Sequence, residues 1–123
     1  MFDDFFRSGG FGMYPTVVFG SLAVLAAIVI AFKPERRFVP MVAALGATTF
    51  GSGMLGTTMG FISSLRAVTQ VPAADRATIV MMGAAESLNN MVLALIMVVL
   101  TGLIASVAAG RVALARRTAA TAA

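Results

Sequence analysis

TVVFGSLAVLAAIVIAF, residues 16–32, holds no charged side chain, and its polar groups are confined to Thr16 and Ser21. A helix of that length just crosses the roughly 30 Å hydrocarbon core of a bilayer. A cleaved leader is not expected here: Asp3 and Asp4 stand where a basic start belongs, and no small-x-small site precedes a soluble domain. It is therefore a first membrane span, and the rest of the chain follows from it. KPERR, residues 33–37, is a short polar connection with three cations, and Pro34 and Pro40 end one helix and begin the next. A second apolar run covers about 40–65, longer than one crossing needs, so it tilts or reaches the headgroups. RAVTQVPAADR, residues 66–76, breaks the chain at Pro72, and a third run extends over about 77–110. The fold class expected is all-α: an integral membrane protein with three transmembrane helices.

Composition agrees. Of 123 residues, 59% are hydrophobic and 11% charged, where a soluble domain carries about a quarter charged residues. A water-soluble fold this small could not hide so much apolar surface. Cys and His are both absent, which removes disulfide scaffolds, thiol chemistry and the commonest transition-metal ligands. Neither a cofactor nor a metal is expected. The net charge of +4 is no nucleic-acid signal, because the cations stand only where spans end. They set topology instead. Lys33, Arg36 and Arg37 with Arg111, Arg116 and Arg117 mark one side, against Arg7, Arg66 and Arg76 on the other, the latter offset by Asp3, Asp4 and Asp75. The positive-inside rule then places the N-terminus outside and the C-terminus in the cytoplasm. Residues 1–15 form an outer or interfacial segment whose Phe5, Phe6, Phe11 and Tyr14 suit the headgroup level, and residues 111–123 a basic, frayed cytoplasmic tail.

Within the spans, polar and small residues concentrate in the second. Ser52, Gly56, Gly60 and Ser64 recur every fourth residue and make a ridge of small side chains. In lipid such a ridge lets two helix backbones approach closely, driven by dispersion and weak hydrogen bonds rather than water exclusion. Packing within one subunit and contact between subunits both fit it. A second face carries Thr49, Gly53, Thr57 and Ser64. Its hydroxyls either bond their own backbone one turn back or line a water-accessible pore. Glu86 is the acidic residue inside the long apolar runs. It faces a cavity or partner, or it belongs to the wet first turns of the third helix. Asn90, four residues on, shares its side. Met81, Met82, Met91 and Met97 are gap-filling apolar residues. GSGMLG at 51–56 lacks the strand and lysine of a phosphate loop, and no nucleophile–base pair is present, so the chain is not expected to be an enzyme. The first span, with almost no polar or small face, is expected to meet lipid.

GMLGTTMGFI, residues 53–62, resembles the "GLLGTVxGI" signature of the MotA/TolQ/ExbB proton-channel family, and GAAESLNNMVLAL, residues 83–95, is similar to the "GIAEALxxTxxGL" opening of that family's last span. The two stretches occur in the family's order, on consecutive helices, and the likeness covers roughly 45–110. It implies an ExbB/TolQ-like subunit of the bacterial inner membrane, a homo-oligomeric ring, typically a pentamer. Such a ring encloses transmembrane helices of a single-span partner, and proton flow past a partner aspartate drives work. By the resemblance, Thr57 faces the pore, and Glu86, with Asn90 beside it, lies on the polar side of the third helix. The departures are specific: the family's pore threonine in the last span falls on Met91, its next glycine on Ala94 and its later proline on Leu100. KPERR replaces the cytoplasmic domain of members such as TolQ and ExbB. A structural scaffold without conduction and an independent small pore remain as alternatives.

Overall fold

The computed structural model describes residues 10–122 and is entirely helical over them. Three long helices, α1 (Met13–Phe32), α2 (Val39–Val68) and α3 (Arg76–Thr121), are joined by a connection containing a 3-10 turn (Arg36–Phe38) and by a turn around Pro72. Each helix is long and apolar enough to cross a membrane, which makes this a multi-pass membrane protein. The aromatic residues Phe5 and Phe6 lie outside the described residues.

Local chemistry sets the helix ends. Gly10 has φ +67°, a left-handed conformation that glycine adopts without strain, and its carbonyl accepts the Met13 N–H at 3.2 Å to start α1. Lys33 leaves helical geometry immediately before Pro34, which disfavours a helical residue ahead of it. Pro40 sits in the first turn of α2, where its missing N–H has no intrahelical partner to lose. Arg66 stands in the last turn of α2, where a cation complements the helix dipole. The third helix does not stop at Gly110 but continues to Thr121, so the basic tail is helical through Arg111, Arg116 and Arg117.

The helices pack as an antiparallel bundle with unequal overhangs. Gly12, Gly56 and Asn90 meet at one level, Gly20, Thr49 and Met97 at a second, and Ile30, Val42 and Ala108 at a third. At 1.5 Å per residue, the 20 residues of α1 span about 30 Å, against about 45 Å for α2 and about 69 Å for α3. Beyond the start of α1, therefore, the α2–α3 hairpin runs on by about 20 Å, and beyond its end α3 continues alone for a similar distance.

The first span differs from expectation. One side of α1, through Val18, Leu22, Leu25 and Val29, is exposed, but Met13, Thr16, Gly20, Ala23, Ala26, Ala27 and Ile30 are buried against both other helices. The physical reason is size: these positions are mostly small and spaced three or four apart, so α2 and α3 settle onto that side. The outward surface of the bundle is otherwise large and apolar, from Leu55 and Ile62 on α2 to Val99 and Leu103 on α3. That surface suits hydrocarbon.

Two glycine substitutions on α2 separate packing from propensity. A Cβ on Gly53 would run into the Ala94 side chain, whereas one on Gly51 meets open space. Gly53→Ala should destabilise the detergent-solubilised chain by about 1–3 kcal/mol, the usual cost of overpacking. Gly51→Ala should be neutral or stabilising by up to about 1 kcal/mol, as expected at an exposed helical site. Denaturant unfolding followed by circular dichroism measures both, and equal effects at the two sites would contradict this packing.

Candidate functional site

The polar residues singled out in the sequence gather near the start of α1, where α2 and α3 cross it. Gly53, Gly56, Gly60 and Ser64 on α2 lie against Ala94, Asn90, Ser87 and Gly83 on α3, in reverse order, as antiparallel helices require. A Cβ at Gly56 would collide with Asn90 Nδ2, and one at Gly60 would stand 2.5 Å from Ser87 Oγ. Gly12, the N-cap of α1, closes the junction from the third side, its own Cβ position lying 2.6 Å from Gly56 Cα. Three backbones can approach this closely only because the contact positions are glycines. The small ridge and the hydroxyl face of α2 are thus parts of one surface turned to α3, with Ser52 at its half-buried margin.

Two hydrogen bonds cross the junction, one to the Gly53 carbonyl and one to the Ser87 carbonyl. Gly53 O accepts from Thr57 Oγ1 at 2.8 Å and from Asn90 Nδ2 at 3.3 Å. Thr57 Oγ1 also lies 3.0 Å from Ser87 O, so its single proton is shared between its own helix and the next. Thr49, Ser64 and Ser87 donate to carbonyls four residues back at 2.8, 2.9 and 2.6 Å. Of the two readings of the α2 hydroxyls, backbone bonding therefore describes every one of these contacts. Asn90 is fully buried, and its Oδ1 has no hydrogen-bond partner among the described residues. The amide points its NH₂ at Gly53 and leaves its oxygen orphaned.

Above Asn90 lies a cavity of about 290 Å³ lined by glycine backbone at Gly10, Gly12, Gly56, Gly60 and Gly83, by Ser63, Ser64, Ser87 and Glu86, and by Phe11 and Met59. Glu86 is exposed on this wall, about 6 Å along the helix axis from Asn90. The two share a side of α3, but the packing separates their surroundings: Asn90 is sealed into the three-helix junction while Glu86 faces outward. Met91 is half-buried beside this side and brings a thioether, with no hydroxyl, to it. Among the described residues no three acidic, Cys or His side chains come together. The arrangement can hold hydrogen-bonded water beside a carboxylate, and its two crossing hydrogen bonds lock α2 to α3.

Sequence reasoning missed Gly12, Ser87 and the buried stripe of α1. The stripe had a signal in Thr16, Gly20, Ala23 and Ala27; Gly12 had none, since only the junction gives it a neighbour. No protein-family model, curated protein or solved structure matches the chain.

The orphaned oxygen leads to a stability prediction. Gly53 O keeps its Thr57 donor when the Asn90 amide is lost, so an apolar side chain there leaves no acceptor unpaired, whereas a lone buried charge is strongly destabilising. Asn90→Leu should stay within about 1 kcal/mol of the parent, and Asn90→Asp should lose about 3 kcal/mol or more at neutral pH. Unfolding in a mixed-micelle titration reads the difference. An Asn90→Leu variant as damaged as Asn90→Asp would mean that the amide is required for the fold.

Proposed function

We propose that the chain is an ExbB/TolQ-like ring subunit of a bacterial inner membrane, part of an ion-driven motor that encloses transmembrane helices of a partner protein. The observation that carries this reading is the meeting of the two motif stretches. Residues 53–62 and 83–95 pack side by side on antiparallel helices, and Thr57 reaches from one to the Ser87 carbonyl of the other. In this reading several copies, five by the family pattern, stand side by side with lipid outside. A single-span partner bearing a membrane aspartate fills the centre, and the cation distribution puts the N-terminus outside and the C-terminus in the cytoplasm. Thr57, Glu86 and Asn90 border the ion path, with Glu86 at its wet mouth.

A second reading is favoured by what the same hydroxyls do. Thr57 is held between two carbonyls, Asn90 is sealed from solvent, and Met91 offers no hydroxyl. A ring so built would scaffold its partner without conducting. The readings separate on two substitutions and one purification. If the chain conducts, Thr57→Val and Glu86→Gln should each lower proton flux in partner-containing liposomes, Glu86→Gln the more strongly because it removes the ionisable group. Unchanged flux and unchanged partner-dependent activity in both variants would exclude conduction. Failure of any single-span protein with a membrane aspartate to co-purify would exclude the partner-enclosing ring itself.

A further inference from the structure

At the opposite end of the bundle from the glycine junction, a groove of about 680 Å³ opens between all three helices, well within the roughly 300–1,000 Å³ of small-molecule sites. Its walls are almost wholly apolar, built from Pro34, Val42, Ala105, Ala109 and Val112, and its one charged lining group is Arg116. On α3, positions 105, 109, 112 and 116 fall on one face, so the groove follows the helix for about 16 Å and ends at the guanidinium. Helical side chains lean toward the N-terminus of their helix, which carries Arg116 back over the groove from its place beyond the level where α1 ends. Arg111 and Arg117 project from other faces of the same turns. The surroundings are basic: Lys33 adjoins Pro34, Glu35 pairs with Arg37, and no acidic residue follows Glu86 in the chain.

We propose that this groove binds an anionic phospholipid, with an acyl chain along the apolar walls and the headgroup phosphate on Arg116. The charge pattern selects this occupant. An apolar trough ending in a cation matches a molecule that is hydrocarbon along its length and anionic at one end. A partner helix would meet an unneutralised guanidinium at the edge of the bilayer. The site is independent of the ring proposal, since it lies at the other end of the bundle from Thr57 and Glu86 and needs no partner.

The test uses the full chain purified in a neutral detergent, with retention of added phosphatidylglycerol or phosphatidylcholine read by native mass spectrometry. Phosphatidylglycerol should be retained in preference to phosphatidylcholine. Arg116→Gln should weaken its retention by about fivefold, the scale of one basic side chain acting on an anionic lipid surface. Arg117→Gln, which removes the same charge from another face, should weaken it much less. Ala109→Phe, which fills the groove from an exposed position, should abolish the preference while the melting temperature without lipid stays near that of the parent. Inorganic phosphate alone should neither bind nor compete. Three outcomes would each overturn the proposal: no preference between the two lipids, equal losses in Arg116→Gln and Arg117→Gln, or an Ala109→Phe variant that changes oligomer size while keeping its lipid.

Discussion

The close approach of α2 to α3 through Gly53, Gly56 and Gly60 governs the rest of the bundle. In lipid, apolar side chains gain nothing by turning inward, because the surrounding tails are as apolar as leucine. What holds two helices together is contact density and the hydrogen bonds that short distance permits. Gly53, Gly56 and Gly60 supply the distance, and two bonds cross it, from the Asn90 amide to the Gly53 carbonyl and from the Thr57 hydroxyl to the Ser87 carbonyl. Once that seam is set, Gly12 can dock on it from α1, and the small stripe from Thr16 to Ala27 follows the groove between the two longer helices.

Unequal helix lengths then divide the molecule by chemistry. The level of α1 is the part that three helices share, and its roughly 30 Å matches a hydrocarbon core. Above it the α2–α3 hairpin carries Glu86, Ser63 and the glycine-lined cavity. At the other end of that level the apolar groove opens between the three helices, and α3 carries the cations on beyond it. Charged chemistry therefore sits at the two ends of the shared slab, where a bilayer has its headgroups, and the middle is left to small and aliphatic side chains and to hydroxyls, such as Thr49 and Thr101, bonded to their own helix. Asn90 is the exception. It lies at the margin of the slab with an oxygen no donor reaches among the described residues, and such an atom is held only where surrounding packing leaves it no alternative.

Much of this is legible in the sequence. The three spans could be read because each is an uninterrupted apolar run bounded by cations and prolines, and those signals act locally. The α2 ridge was legible as a spacing, yet spacing alone left open whether it faced its own chain or a neighbour. Glu86 and Asn90 looked like one polar face because they are four apart. A single turn of α3 carries them from an exposed wall into a sealed junction, and where that boundary falls depends on where α1 begins relative to α3. The packed side of α1 went unread because it lacks polar atoms, and alanine and glycine in an apolar run look the same whether they meet lipid or a helix.

By itself, then, the sequence determined that the chain is helical, that it crosses a membrane, where its breaks fall and which end is basic. These follow from hydropathy, proline and charge, each of which acts on its own stretch of chain. Only the tertiary structure decided that the α2 ridge is turned to α3 within one chain, that Thr57 bridges two helices, that Asn90 is buried while Glu86 is not, and that a groove ends at Arg116. Those depend on the register between antiparallel helices, and register is set by the summed contacts of three backbones rather than by any one segment.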